Sequence, residues 1–181
     1  NWNEHQQKAF SLIGSNGVRA ALDVQKEPAS LREKYGMTLF GQFCLAARRL
    51  VEAGARFVTV FWDPFGPHGA SVWDTHSNHF PRLKNYLLPI FDQSYSALIT
   101  DLDERGLLDE TMVLCTSEHG RTPKIDSKPP GAARHHCSRT YSLLFPARRE
   151  QFCRIVGRSD AIGGDVAETP ISPKDMQATS Y

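Results

Sequence analysis

The chain has 181 residues, of which 40% are hydrophobic and 23% charged, with a formal net charge of +1. That is enough for one domain with its own core, in an ordinary globular composition. The near-neutral balance argues against nucleic acid as a partner, which would call for a basic patch, and no apolar run approaches the length of a membrane span.

Residues 2–16 carry apolar positions at helical spacing and reach Gly17. Residues 18–32 read as helix and loop, interrupted by Pro28. A stronger helix follows over residues 38–53, with Phe40, Phe43, Cys44, Ala47, Leu50 and Val51 on one face and Gly54 as its stop. Residues 56–62 (Arg-Phe-Val-Thr-Val-Phe-Trp) then read as a buried strand, and helix, glycine and strand in this order signal an α/β fold. Residues 63–72 are loop by their proline and glycine content. A long helix is expected over residues 81–104, broken or kinked at Pro89 and ended by Gly106.

Residues 111–116 read as a second buried strand, running straight into Glu118, His119 and Gly120. Ligand-binding residues of open α/β sheets gather outside the carboxyl ends of strands, where this pair stands. Residues 124–134 form a polar loop closed by His135 and His136, residues 140–145 read as another strand, and residues 154–157 as a short one. Ser172, Pro173 and Asp175 make a helix start signal. That helix should run past Tyr181, and the chain opens on Asn1, so the expectation is a fragment incomplete at both ends. No signal peptide or transit segment is visible at its start. Cys44, Cys115, Cys137 and Cys153 include no CxxC pair, which argues against a cysteine zinc knuckle. Cys44 and Cys115 read as buried thiols, and a Cys137–Cys153 disulfide stays open.

Three clusters pair imidazole with carboxylate or with imidazole: Asp74 with His76, Glu118 with His119, and His135 with His136. Taken alone, Asp74 with His76 reads more readily as a capped turn and His135 with His136 as surface, while Glu118 with His119 reads equally well either way. Together they have the composition of a divalent-metal hydrolase site. His68 and His79 are read as surface groups or outer partners of that site.

The ordered segments Trp73-Asp74-Thr75-His76, Glu118-His119-Gly120-Arg121-Thr122-Pro123, Arg134-His135-His136 and Val156-Gly157-Arg158-Ser159-Asp160 carry a resemblance. With Tyr35-Gly36, Arg56-Phe57-Val58-Thr59-Val60 and the Ser172-Pro173 helix start, the chain resembles the domain-of-unknown-function family 1501, grouped with the alkaline phosphatase and sulfatase superfamily. The resemblance implies a three-layer α/β/α sandwich of alkaline-phosphatase type, of which this chain is a C-terminal portion. It implies Asp74, His76 and His136 as ligands of one metal and Glu118 and His119 as ligands of another. Zinc suits this set, with manganese, iron or calcium as alternatives. Relatives tend to carry an acid where this chain has His135 and an aromatic where it has Cys137, and Glu118 replaces an aspartate.

Arg121 would bind an oxyanion or form a salt bridge across its loop. The activity implied is hydrolysis of small-molecule or polymer-borne phosphate or sulfate esters, in a periplasmic or secreted protein. The superfamily's nucleophile has no counterpart in these 181 residues, so the chain alone is expected to be inactive. Alternatives are a phosphomutase-like transferase and a non-catalytic secreted or envelope-associated protein that keeps the fold.

Overall fold

A computed structural model of the chain describes residues 2–62, 72–146 and 155–180. In chain order it contains α1 (Trp2–Ile13), α2 (Asn16–Leu22), a 3-10 turn (Val24–Lys26), α3 (Ala29–Tyr35), α4 (Leu39–Glu52), α5 (His79–Arg82), a π turn (Leu83–Leu87) and α6 (Leu88–Glu104). A second 3-10 turn (Leu107–Asp109) precedes β1 (Gly120–Arg121), β2 (His136–Cys137), β3 (Arg158–Ser159), β4 (Val166–Glu168) and α7 (Pro173–Ser180). β1 pairs with β2 and β3 with β4, each pair antiparallel, so the fold mixes helices with two small sheets. Among the described residues no helix is long and apolar enough to cross a membrane. The chain divides into two compact units, Asn1–Trp73 with Lys84–Leu107, and Asp74–Leu83 with Leu108–Tyr181.

The first unit is helical. Thr38 caps α4 by accepting the Gly41 N–H at 3.1 Å, satisfying one of the donors that a helix start leaves free. The apolar face of α4 buries Cys44 and Leu45 with Tyr35, and Val24, Leu31, Phe40, Val60, Ala97 and Leu98 pack around them. Next to this core lies a buried charge network. The Arg48 side chain is fully enclosed and ion-paired with Glu27 at 2.7 Å, Glu52 at 2.5 Å and Asp101 at 2.8 Å. Asp101 also receives the Tyr35 hydroxyl at 2.9 Å and Arg105 Nε at 2.7 Å. Burying a guanidinium is costly, and three carboxylates around it offset that cost. Desolvation alone would raise the Asp101 carboxyl. The bonds from Arg105 and Tyr35, with the Arg48 and Arg105 charges, outweigh it and hold the group below the usual carboxylate range.

The long helix expected over residues 81–104 is interrupted where proline predicts, by a device the sequence does not name. Pro89 stands in the first turn of α6, and the π turn Leu83–Leu87 comes directly before it. Proline has no N–H to donate and crowds the carbonyl four residues back, and a wider turn relieves both. At the other end of the chain the expected cap is present. Asp175 accepts the Ser172 N–H and hydroxyl, both at 2.7 Å, and its own N–H reaches Ser172 Oγ at 3.3 Å.

The expected buried strands are corrected. Among the described residues, 56–62 pairs with no strand, and its alternation is one-sided: Val60 packs on the core while Phe57 and Phe61 are 87% and 77% exposed. Residues 111–116 are extended but half exposed. They meet residues 144–146 antiparallel, Cys115 and Leu144 exchanging bonds of 3.0 and 3.1 Å and Val113 N donating to the Pro146 carbonyl. Residues 155–157 are not strand; β3 begins at Arg158. β-Branched and aromatic content measures fit to a pleated surface and leaves the partner strand unspecified, so composition alone overstated burial. Cys44 is buried, Cys115 only partly, and Cys137 is a buried free thiol. Cys153, His68, Arg154 and most of the loop 63–72 lie outside the described residues.

Candidate metal centre

The second unit builds its site on a hairpin. Gly120 pairs with Cys137 and Arg121 with His136. The ladder continues as Thr122 N donates to the His135 carbonyl at 2.8 Å and His135 N to Thr122 Oγ1 at 3.0 Å. Asp126 and Ala133 close it with backbone bonds of 2.9 and 2.8 Å. Arg134 clamps it across, donating to the Thr122 carbonyl at 2.6 Å and the Arg121 carbonyl at 3.2 Å.

Gly120 is required here by close approach. A Cβ at this position would lie 1.9 Å from the Thr140 carbonyl oxygen, so the residue serves close packing. Gly131, at φ +68°, lies against Asn78 in the same way. Around it Asn78 N donates to the Pro130 carbonyl at 2.7 Å and His79 N to the Ala132 carbonyl at 3.1 Å. These bonds dock the segment carrying Asp74 and His76 onto the hairpin. Beneath it, Thr75 is fully buried, and its hydroxyl lies 2.6 Å from Nδ1 of the buried His79. Burial, and then the charges of Arg121, Arg134 and Arg82, push the His79 imidazole below its usual range. His79 is therefore an internal prop of this segment and not a surface group.

On that support Asp74, His76 and His136 converge. Asp74 Oδ1 is 2.8 Å from Nε2 of both histidines, and the two Nε2 atoms are 3.1 Å apart. All three side chains are exposed, and among the described residues they form the one group of three or more donors close enough for a metal ion. A zinc ion with bonds of about 2.0–2.2 Å holds tetrahedral ligands roughly 3.3 Å apart, so the triangle needs to open only slightly to take one. One carboxylate and two imidazoles are a donor set that a divalent cation can satisfy together. The slight burial of Asp74 would raise its carboxyl, but the His136 hydrogen bond and the charges of His76, His136 and Arg121 outweigh this and hold it below the usual range. The carboxylate is thus ionised at neutral pH.

The other expected residues surround this triangle. The His119 ring meets His136 edge-on, with centroids 5.3 Å apart. Glu118 lies outside the triangle and accepts a 3.4 Å bond from the Ser117 hydroxyl. Arg121 donates to the Arg134 carbonyl at 3.1 Å and contributes positive charge at Asp74. His135 and Asp126 are a pairing that sequence reading missed: His135 Nε2 lies 3.2 Å from Asp126 Oδ2. Nine residues separate the two, and only the closure of the hairpin brings them together.

With these motifs in place the family is defined along the whole chain. The profile of the family described as "Protein of unknown function (DUF1501)" matches residues 1–181, and the chain belongs to that family. Searches among curated proteins and among solved structures find no match.

Proposed function

We propose that Asp74, His76 and His136 hold a divalent metal ion, zinc in the first place with manganese, iron and calcium as alternatives, in a hydrolase of phosphate or sulfate esters. The observation that carries this reading is the convergence of one carboxylate and two imidazoles within 4.8 Å on an exposed surface. Three protein ligands at an open surface leave a coordination position for water or substrate, the pattern of catalytic rather than structural zinc sites. A metal ion there supplies Lewis-acid polarisation of a phosphoryl or sulfuryl oxygen. The chain's own residues provide the surroundings. Arg121 adds positive charge beside Asp74, and Arg82, Arg121 and Arg134 all act on His79, so the neighbourhood favours an anionic ester. Glu118 and His119 are proposed for a second metal, for which the ring contact between His119 and His136 is the support.

The same reading makes the chain part of a three-layer α/β/α sandwich of alkaline-phosphatase type, and assigns the protein to the periplasm or the exterior. The mixture of helices with small antiparallel sheets is consistent with the first assignment. The second rests on family resemblance.

A second reading, a non-catalytic protein with one bound ion, is favoured by Glu118 standing apart from the triangle. The two separate by oxyanion binding. The hydrolase reading expects inorganic phosphate or sulfate to bind the zinc-loaded chain and not the zinc-free chain, with binding lost in His136→Ala. Stoichiometric zinc without oxyanion binding would establish the second.

A further inference from the structure

We infer that residues 57–61 form the seam of a two-fold dimer, in which this segment pairs antiparallel with the same segment of a second copy of the chain, centred on Thr59. The inference stands apart from the metal reading.

The segment is built as an edge without a partner. Its burial alternates residue by residue, as in a strand, with Val60 packed on the core and Val58 half-buried. Phe57, Thr59 and Phe61 are exposed, the two rings at 87% and 77%. Among the described residues, no hydrogen bond joins the amides and carbonyls of 57–61 to another segment. Open backbone groups beside a row of outward apolar rings are a template for another strand. Natural sheet edges are blunted by lysine, proline or an inward charge, and residues 57–61 contain none of these.

The sequence of the edge points to its occupant. Phe57-Val58-Thr59-Val60-Phe61 reads the same in both directions. In an antiparallel pair centred on Thr59, Phe57 stands opposite the partner's Phe61, Val58 opposite the partner's Val60, and Thr59 opposite the partner's Thr59. A two-fold axis makes such contacts reciprocal, and here every position meets a residue of its own kind. Aromatic rings directly opposite one another, and threonines likewise, are favourable cross-strand pairs, and no charge within the segment opposes itself. Both phenylalanine pairs fall on the outward face, while the valines stay on the core side of each copy. A phenylalanine side chain offers about 150–250 Å² for burial, and four such rings meet across the axis. With the two strand edges this comes to roughly the 1,000 Å² at which a specific interface begins. The dimer is accordingly weak, and its formation depends on concentration.

The test is sedimentation equilibrium of the chain over a concentration series, with tryptophan-monitored melting to check that each variant is folded. The wild-type chain should pass from monomer to dimer below about 1 mM. Thr59→Lys sets two like charges opposite each other on the axis and should weaken the dimer about 10-fold or more. Thr59→Cys should give a disulfide-linked dimer on mild oxidation, because residues directly opposite have Cα atoms about 4.5–5.5 Å apart. Phe57→Cys alone should not cross-link above the wild-type background, because its own counterpart lies four residues along the partner strand, about 14 Å away. Mixing Phe57→Cys with Phe61→Cys should restore the link. A chain that stays monomeric up to about 1 mM would overturn the dimer. A dimer that Thr59→Lys leaves intact, or Phe57→Cys cross-linking as readily as Thr59→Cys, would overturn the seam.

Discussion

The two units of this chain solve opposite problems with the same side-chain chemistry. In the first, charge is internal: Arg48 is enclosed by Glu27, Glu52 and Asp101, beside a core of Tyr35, Cys44 and Leu45. In the second, charge is external: Asp74, His76 and His136 are all exposed, on a hairpin held by backbone hydrogen bonds. Buried ionic groups must be matched internally, and a matched group has nothing left to offer a ligand. Exposed groups held close together by the backbone keep that capacity. The internal network is therefore structural, and the exposed triangle is the group proposed to bind an ion.

The largest effect that would test this contrast is at Arg48. Arg48→Ala leaves three carboxylates facing one another and should cost the first unit about 3–5 kcal/mol. The chain's three tryptophans, Trp2, Trp62 and Trp73, all belong to that unit and report it through fluorescence-monitored melting. His136→Ala should leave the same melting curve unchanged; a shift of similar size in both variants would erase the distinction.

Gly120→Ala comes next. The added methyl meets the Thr140 carbonyl, and the second unit should lose about 1–3 kcal/mol, read as faster amide exchange at Thr122 and His135. Unaltered exchange there would mean that the close approach is not a constraint.

The smallest expected difference is in pH. The depressed His79 value means that the unfolded chain takes up this proton first, so the second unit should begin to lose stability as pH falls below about 6.5. In the first unit the depressed groups are Asp101 and Glu27, and its loss should begin only near pH 4, where unfolded carboxylates start to protonate, at about 4. Histidine NMR signals and tryptophan fluorescence follow the two units separately. Simultaneous loss of both signals near pH 4 would contradict the assignment.

Local signals were the legible part of this fold. The helix start at Ser172, the apolar face of α4 and the break at Pro89 each depend on residues within a turn or two. The closeness of Asp74, His76 and His136 was also legible, because the family resemblance grouped residues that spacing could not. The strands were not: residues 56–62 have the composition of a buried strand yet expose Phe57 and Phe61, since pairing depends on partners far away in sequence. The same limit hid Asp126. It is one of many acidic residues in a polar loop until the hairpin places it behind His135.

The most direct measurement of the central claim is a zinc titration of the chain followed by calorimetry and histidine NMR. The account predicts one saturable ion per chain, with resonances of His76 and His136 shifting together, and binding abolished by Asp74→Ala, His76→Ala or His136→Ala while the tryptophan melting curve stays in place. Failure of zinc, manganese, iron and calcium alike to saturate the chain, or zinc binding that survives His136→Ala unchanged, would contradict it.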